Sequence, residues 1–307
     1  MVVNKVLITG SSGFVGRYLK SYLLSRSIKV QEIPADIDIR DKNKVYNFCL
    51  NYSFDAVVHL AAQSFIPRSI EDPKETNEIN FTGTLNLLEG LREAKFSGVF
   101  LFVGSSDVYG IVPESLLPIR ENLAHSPINP YAKSKSAAEF LCKKWSFSKS
   151  GMRIIMTRSF NHIGPMQDQR FVISRFCKQV ALIKCGLQES NIRVGNLNVT
   201  RDFTDVRDVV RAYLILLEKG SNGSVYNVCS GQEISLKNIL PILRQIANID
   251  FSEEVCSDLY RDAEQVRVFG SFNKIKKDLG WFPKILFKQS LEDTYNYWID
   301  YIKKDNK

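Results

Sequence analysis

Short apolar runs and helical patterns alternate through the first half of the chain, and this alternation constrains the fold more than any other feature. Short runs rich in β-branched residues are typical of buried strands, and each is followed by apolar residues at helical spacing. Such alternation predicts a parallel sheet covered by helices on both faces. The predicted strands are Lys5–Thr9, Ile28–Ile33, Ala56–Leu60, Val99–Val103 and Arg153–Arg158. The predicted helices are Phe14–Ser25, Lys42–Asn51, Glu75–Ala94 and Tyr131–Ser148.

A glycine-rich turn lies between the first predicted strand and the first predicted helix. The stretch ITGSSGFVGRYL spaces Gly10, Gly13 and Gly16 as dinucleotide-binding turns do. In such a turn the first glycine permits a tight bend, the second lets the backbone approach a pyrophosphate, and the third lets the helix pack on the strand. The amino terminus of the helix then offers free N–H groups to the phosphates. The sequence therefore predicts a site for NADPH or NADH.

The residues around the end of the second predicted strand leave the choice between NADH and NADPH open. An acid at the end of that strand would bind the ribose hydroxyls of NADH, and an arginine would accommodate the extra phosphate of NADPH. Glu32 comes one residue before the predicted strand end, and no arginine follows at once. Asp38, which Ile39 follows, could place a carboxylate beside the adenine amino group or could be an acid of a surface loop.

Beyond about residue 160 the alternation gives way to helices separated by polar loops. The predicted elements there are a strand at Ser224–Val228 and helices at Phe171–Cys185, Leu236–Ala247, Lys274–Leu279 and Ser290–Ile302. We therefore predict an α/β fold, a Rossmann-type doubly wound parallel sheet with a smaller C-terminal α/β substrate domain. The dinucleotide-binding domain would comprise residues 1–159 plus about 204–229, and the second domain would comprise about 160–203 plus 230–307.

Composition and charge exclude several classes of function. The 307 residues are 44% apolar and 24% charged, which is ordinary for a globular protein. The net charge of +8 comes from scattered lysines and arginines, so we expect no nucleic acid partner. The six cysteines form no C-x-x-C pair and the three histidines lack metal-ligand spacing, which indicates reduced thiols and no metal site. The sequence shows no signal peptide and no membrane-length apolar run, so we expect a cytoplasmic protein without a membrane partner.

A tyrosine and a lysine share one face of the helix predicted at residues 131–148. Tyr131 and Lys135 are four residues apart in NPYAKSK, so their side chains lie on the same side. A neighbouring ammonium lowers the pKa of a phenol and equips it to exchange a proton with a substrate oxygen. The stretch GSSDVYG, at the end of the preceding strand, adds the hydroxyl of Ser105. These three side chains suit hydride transfer at a carbinol carbon beside a nicotinamide.

Stretches along nearly the whole chain resemble the extended short-chain dehydrogenases/reductases that act on nucleotide sugars. They are ITGSSGFVG, VVHLAAQS, INFTGTLNLLE, GSSDVYG, NPYAKSK, RSFNHIGP, RDFTDVRDVVRAY, VYNVCSG and LGWFP. The resemblance implies a homodimer formed through the helices near residues 75–94 and 131–148, and a supporting role for Asn80 behind the catalytic hydroxyl. It places the cofactor against Gly10, Gly13, Phe14, Val15, Gly16, Asp38, Ile39, Leu60, Ala61, Ala62, Tyr131 and Lys135.

Two narrower stretches, RSFNHIGP and VYNVCSGQE, resemble the members of this family that act on GDP-sugars. The resemblance places Asn161 near the sugar diphosphate and Arg201 on the diphosphate itself. An Arg-Pro-x-Glu pattern of those members corresponds here to Arg261 and Glu264, with Asp262 in place of the proline. By this resemblance the arginine would bind the diphosphate, and the glutamate would bind the guanosine ribose. The positive charge of a guanidinium complements the negative charge of a diphosphate. The other predicted substrate residues are Gln63, Ser64 and Val172.

The residue two positions after Ser105 bears on the type of reaction. Dehydratases of this superfamily resemble one another in carrying Thr at the hydroxyl position and, two residues later, a Glu that removes the C5 proton. Here the matching residues are Ser105 and Asp107, and Asp107 is one methylene shorter. A displacement of about 1 Å in a catalytic group can cost roughly 10²-fold in rate. The pattern therefore favours a reductase, with Ser105, Tyr131, Lys135 and Asp107 as the catalytic residues.

The expected reaction is the NAD(P)H-dependent reduction of the C4 keto group of a GDP-4-keto-6-deoxy-sugar. The sugar would be 4-keto-6-deoxymannose or a 6-deoxy-heptose analogue, made for a surface polysaccharide. The alternatives are a GDP-mannose 4,6-dehydratase, a nucleotide-hexose 4-epimerase, and a dinucleotide sensor without chemistry. Intact Ser105, Tyr131 and Lys135 argue against the sensor.

Overall fold

Strands and helices alternate along most of the chain in the computed structural model, which describes residues 3–260 and 265–305. The strands are β1 (Lys5–Thr9), β2 (Lys29–Glu32), β3 (Ala56–His59), β4 (Val99–Ser105), β5 (Arg153–Ser159), β6 (Asn161–Ile163), β7 (Asn191–Val194), β8 (Thr200–Arg201), β9 (Phe203–Asp205), β10 (Val225–Val228), β11 (Ile234–Ser235) and β12 (Ser252–Val255). The helices are α1 (Phe14–Ser25), α2 (Lys42–Asn51), α3 (Ile66–Glu71), α4 (Pro73–Asn77), α5 (Gly83–Glu93), α6 (Pro130–Ser146), α7 (Val172–Lys184), α8 (Val206–Lys219), α9 (Leu236–Ala247), α10 (Asn273–Leu279) and α11 (Phe287–Asp305).

Six parallel strands form the central sheet, in the order β10-β5-β4-β3-β1-β2. Buried apolar residues fill β1, β3 and β4, as expected for strands covered on both faces. The strand order reverses direction between β1 and β3, and ligands of open parallel sheets bind beyond the carboxyl ends of strands at such a point. This topology confirms the predicted Rossmann-type sheet.

Helices cover both faces of the sheet. On one face α1 and α8 bury Leu19, Leu23 and Tyr213, and on the other α2, α5 and α6 bury residues such as Val45 and Leu87. The predicted bounds of α1, α2 and α9 agree with the structure, whereas α8 was not predicted as a helix.

The long helix predicted at residues 75–94 is interrupted. It consists of α4, a wider π-helical turn at Glu78–Thr82, and α5. Such wide turns occur mostly at functional sites. This one contains the buried Asn80, whose amide nitrogen donates to the carbonyl of Gln63 and to the hydroxyl of Ser134 on α6.

A second apolar cluster lies among α7, α9 and α11 and includes Phe176, Leu240 and Trp298. Three two-stranded pairs accompany it: β6 with β9, β7 with β12, and β8 with β11. We propose that this cluster is the core of the predicted second domain. Ile275 of α10 and Trp281, which were assigned to that domain, pack instead in the cluster under the central sheet.

Candidate active site

The glycine turn brings the backbone of β1 against that of the loop after β3. Gly10 has a φ of +69°, and a Cβ there would lie 2.8 Å from the backbone nitrogen of Ala61. Gly16 packs on the carbonyl of Gly10 so closely that a side chain would overlap it. Helix α1 begins at Phe14, and no side chain caps its first amides. Those amides can bind phosphates, so the residues present fit a dinucleotide.

A cleft of about 1410 Å³ opens at the carboxyl ends of β1, β3, β4 and β5. Ligand pockets usually measure about 300–1,000 Å³, so this cleft has room for a dinucleotide and a second ligand. The predicted cofactor and catalytic residues in its wall are Gly10, Gly13, Phe14, Val15, Gly16, Leu60, Ala61, Ala62, Ser105, Asp107, Tyr131 and Lys135. A smaller cavity of about 530 Å³, lined by residues 49–55 and 94–98, contains none of the predicted site residues.

Two residues predicted to contact the adenosine end of the cofactor are not part of the cleft wall. The carboxylate of Asp38 binds the guanidinium of Arg40 at 2.6 Å, and this hydrogen bond lowers the pKa of Asp38. The side chain of Ile39 lies against Gly83 at the start of α5. The structure therefore does not bring Asp38 and Ile39 to the cleft, because neighbours in their own part of the fold hold them.

Strand β2 ends at Glu32, one residue earlier than predicted, so this carboxylate occupies the place of a ribose-binding acid. Its Oε1 accepts a hydrogen bond of 2.5 Å from Lys20 Nζ. The bond from Lys20, followed by one from Ser11 of the glycine turn, lowers the pKa of Glu32. The carboxylate of Glu32 could bind the ribose hydroxyls of NADH, and the ammonium of Lys20 could bind the extra phosphate of NADPH. The pair therefore leaves the choice of cofactor open.

Three of the four predicted catalytic residues, Ser105, Tyr131 and Lys135, form the floor of the cleft. Ser105 is the last residue of β4, and its hydroxyl lies within hydrogen-bonding reach of Tyr131. Asn129 caps α6 by accepting a hydrogen bond of 2.8 Å from the backbone N–H of Ala132, which fixes the first turn that carries Tyr131. One turn later, Lys135 Nζ donates to the carbonyl of Val103 at 2.9 Å.

Burial sets the protonation of Tyr131 and Lys135. Tyr131 is 8% exposed, and burial together with the charge of Asp107 raises its pKa well above the usual value, although the bond with Ser105 opposes this. Burial lowers the pKa of Lys135 to about 8. The expected lowering of the Tyr131 pKa by Lys135 is not observed: Lys135 is not among the groups that shift this pKa, and its ammonium donates to the carbonyl of Val103 instead. Tyr131 is therefore a protonated phenol near neutral pH and can donate a proton.

Asp107 lies in the cleft wall beside these groups. It belongs to the short 3₁₀ turn Ser106–Tyr109, and its backbone N–H donates to Ser105 Oγ at 3.2 Å. Because its charge raises the pKa of Tyr131, its carboxylate acts on the same hydroxyl that would transfer the proton.

The predicted sugar-nucleotide residues are only partly brought together. Ser64, Asn161, Val172 and Arg201 line the cleft. Arg201 also donates to the carbonyls of Thr200 and Gln265, at 2.7 and 2.9 Å. The predictions for Arg261 and Glu264 lie outside the described residues.

Gln63 is not part of the cleft wall. Its side chain donates to the hydroxyl of Thr76 at 3.0 Å and accepts from the backbone N–H of Phe65 at 2.6 Å. The side chain of Gln63 therefore shapes the loop that presents Ser64.

Several cleft residues were not predicted from the sequence. The polar ones include Asn129, His162, Arg170, Arg175 and Asn196. Arg175 follows Val172 by three residues on α7, so the shared helix face could have revealed it. Asn196 is in a loop without regular spacing, and no local pattern points to it.

Two features are absent from residues 3–260 and 265–305. Within these ranges no three His, Cys, Asp or Glu side chains come together as a metal site would require. None of the helices described there is both long enough and apolar enough to cross a bilayer.

Comparison with known proteins shows the family of this chain. Residues 34–294 match the model of the family described as GDP-mannose 4,6 dehydratase. The chain belongs to this family. The family is part of the extended short-chain dehydrogenases/reductases, so the predicted membership is confirmed.

The relatives of this chain differ in the reactions for which they are named. A GDP-6-deoxy-D-mannose reductase of Pseudomonas aeruginosa is 42% identical over 99% of this chain and 100% of its own length. The structure of RMD from Pseudomonas aeruginosa complexed with NADPH has a TM-score of 0.91 and 42% identity, and the match covers 97% of this chain and 99% of that one. A dTDP-glucose 4,6-dehydratase of Haemophilus influenzae is 28% identical over 96% of this chain and 97% of its own length.

These relatives confirm the predicted fold and the enzymatic class. In this chain the glycine turn and the side chains of Ser105, Tyr131 and Lys135 line one cleft.

Proposed function

We propose that the enzyme reduces the C4 keto group of a GDP-4-keto-6-deoxy-sugar with NADPH or NADH. The proposed product from 4-keto-6-deoxymannose is GDP-D-rhamnose, and a 6-deoxy-heptose analogue is the other candidate substrate. The observation that carries the proposal is the buried Tyr131, a protonated phenol beside Ser105 on the floor of the cleft. The 42% identity to a GDP-6-deoxy-D-mannose reductase over the whole chain supports the same reaction.

The chain's own residues supply binding, orientation and the proton. A reduced nicotinamide, when bound, supplies the hydride that reduces C4. Ser105 Oγ donates a hydrogen bond to the C4 oxygen and holds it beside the hydroxyl of Tyr131. Tyr131 donates its phenolic proton to that oxygen as the carbonyl becomes an alcohol. Lys135, tied to the carbonyl of Val103, stabilises the phenolate that remains.

Asp107 supports a reductase rather than a dehydratase. Its side chain is one methylene shorter than the Glu that removes the C5 proton in dehydratases, and its backbone N–H is tied to Ser105. Reduction of a ketone needs no second base, because Tyr131 supplies the only proton that the product gains at oxygen. The carboxylate of Asp107 then serves to keep Tyr131 protonated before the reaction.

Purified enzyme tests the proposal in two reactions. With NADPH present and GDP-mannose as the only sugar nucleotide, we expect neither consumption of GDP-mannose nor oxidation of NADPH. With GDP-4-keto-6-deoxymannose prepared by a separate dehydratase, we expect one NADPH oxidised for each GDP-deoxysugar formed. Conversion of GDP-mannose without net oxidation of NADPH would identify a dehydratase instead, and epimerised GDP-hexose would identify an epimerase.

We also propose a homodimer that forms through α5 and α6 and works in the cytoplasm. On α6, Phe140 is 61% exposed, and Trp145 stacks on the guanidinium of Arg92 from α5 at 5.2 Å. The six cysteines are free thiols, which fits a reducing compartment. Analytical ultracentrifugation of the wild type and of Phe140→Asp tests the dimer, which the charge should dissociate. A wild-type monomer would contradict it.

A further inference from the structure

A buried histidine at the end of β3 joins two hydroxyl groups, and the proposed reaction does not use it. His59 is 2% exposed. Its Nδ1 lies 2.8 Å from Thr9 Oγ1 at the end of β1, and its Nε2 lies 2.9 Å from Thr84 Oγ1 on α5. The sheet register pairs Thr9 with His59, so the first contact follows from the strand pairing.

The hydrogen-bond partners determine which ring nitrogen carries the proton. Thr84 Oγ1 lies 2.7 Å from the carbonyl oxygen of Asn80, which can only accept, so the single proton of Thr84 goes there. His59 Nε2 must then donate to Thr84. A neutral imidazole has one N–H, so Nδ1 accepts the proton of Thr9. Thr9 Oγ1 in turn accepts from the backbone N–H of Ala61 at 3.0 Å.

The result is one directed chain of hydrogen bonds: Ala61 N–H to Thr9, Thr9 to His59, His59 to Thr84, and Thr84 to the carbonyl of Asn80. A proton on Nδ1 would leave the hydroxyl proton of Thr9 without its acceptor. The ring is therefore held in the neutral Nε2–H form by geometry. The surroundings of the ring also favour the neutral form, because burial, followed by the charge of Lys135, lowers the pKa of His59 to about 3.

Both ends of this series of hydrogen bonds reach the active site. At one end, Ala61 lines the cleft and lies against Gly10 of the cofactor turn. At the other end, Asn80 donates to the hydroxyl of Ser134 at 2.9 Å, and that hydroxyl donates to the carbonyl of Tyr131 at 2.8 Å. The path connects the backbone that meets the cofactor to the residue that donates the proton.

We propose that His59 is a positioning residue whose neutral Nε2–H form fixes the cofactor-binding turn at Ala61 relative to the helix that carries Tyr131. It touches neither ligand and acts through Thr9 and Thr84. The inference rests on the proposed use of the cleft for a dinucleotide. Its first test is therefore the binding of NADPH, which requires no sugar and so stands apart from the test of the reaction.

The binding test compares three variants with the wild type. His59→Phe keeps a ring between Phe100 and Phe102 but removes both hydrogen bonds, and we expect the Kd for NADPH to rise about tenfold, because buried polar groups lose their partners. His59→Asn can still accept from Thr9 and should restore the Kd to within about threefold. Val57→Ala is the matched control, since Val57 is fully buried on the same face of β3 and has no polar side-chain atom.

The outcomes separate positioning from general destabilisation. We expect Val57→Ala to lower the free energy of unfolding while leaving the Kd for NADPH unchanged. A wild-type Kd in His59→Phe would overturn the inference, and so would an equal rise of the Kd in Val57→Ala. If the wild type binds NADPH but reduces no 4-keto-sugar, the proposed reaction fails and the positioning role of His59 stands.

Histidine-selective nitrogen NMR tests the protonation state directly. The chain has three histidines, and the signals missing from His59→Phe identify those of His59. We expect an N–H at Nε2, none at Nδ1, and no titration through the neutral range. An N–H at Nδ1, or titration like that of a free imidazole, would contradict the inference.

Discussion

Replacing Tyr131 with Phe removes one oxygen atom and tests the proposed proton donor. The ring is 8% exposed, so Phe fills the same volume and the cleft keeps its shape. The interaction with Ser105 that lowers the pKa of Tyr131 is lost with the hydroxyl. General acids contribute about 10²–10⁴-fold to rates. Since burial keeps Tyr131 protonated, we expect kcat to fall by about 10³-fold, or about 4 kcal/mol in the barrier.

The assay is a single turnover of GDP-4-keto-6-deoxymannose with enzyme in excess, together with titration of NADPH and GDP-sugar binding. Both Kd values should stay within about twofold, because the lost interaction belongs to the transition state. Tyr226→Phe is the matched control, since Tyr226 is a buried phenol on β10 outside the cleft wall. It should turn over like the wild type. A kcat for Tyr131→Phe within tenfold of the wild type would refute the reasoning, because another group would then supply the proton.

Three further predictions concern charge. Burial lowers the pKa of Lys135 to about 8, so kcat should fall above that pH as the ammonium is lost, and a profile that stays flat would exclude its charge from the mechanism. Glu32→Gln removes a negative charge beside Lys20, and the ratio of kcat/KM for NADPH to that for NADH should rise by about tenfold, whereas an unchanged ratio would place the ribose elsewhere. The pKa of His59 is lowered from 6.5 to about 3, so the unfolded chain gains a proton first as the pH falls. Urea denaturation should show that the wild type loses about 1.4 kcal/mol per pH unit below pH 6.5 relative to His59→Phe, and equal slopes would contradict this.

Local signals explain how much of the fold could be predicted from the sequence. Helix α2 begins where Asp41 caps the backbone N–H of Lys44, and α6 begins at Pro130 behind the cap of Asn129. Such caps are readable without tertiary structure. The strands β6, β8, β9 and β11 have only two or three residues, too few to show an alternation. Helix α8 has an Asp205 cap and a strongly one-sided apolar pattern, so its signal was present but was not interpreted.

A residue of the candidate site could be predicted from the sequence where a single short motif determines its position. Gly10 and Tyr131 lie in motifs that specify their own geometry, and the structure brings both to one cleft. Asp38 and Gln63 are not part of the cleft wall, and their side chains bind Arg40 and Thr76, which local sequence patterns do not reveal. The pKa of Tyr131 depends on burial by the whole fold, and a spacing of four residues on one helix carries no information about it.

The path of the chain between its two apolar clusters limits how the enzyme can be re-engineered. After β5 the chain enters the second cluster near Ile163, returns to the sheet with α8 and β10, enters again with α9, returns with Ile275 and Trp281, and ends in α11. Substrate specificity therefore cannot be exchanged between relatives as one contiguous cassette. A chimaera must swap three separate segments and keep every junction between them, and a cut at any point between β5 and Ile275 removes part of both cores.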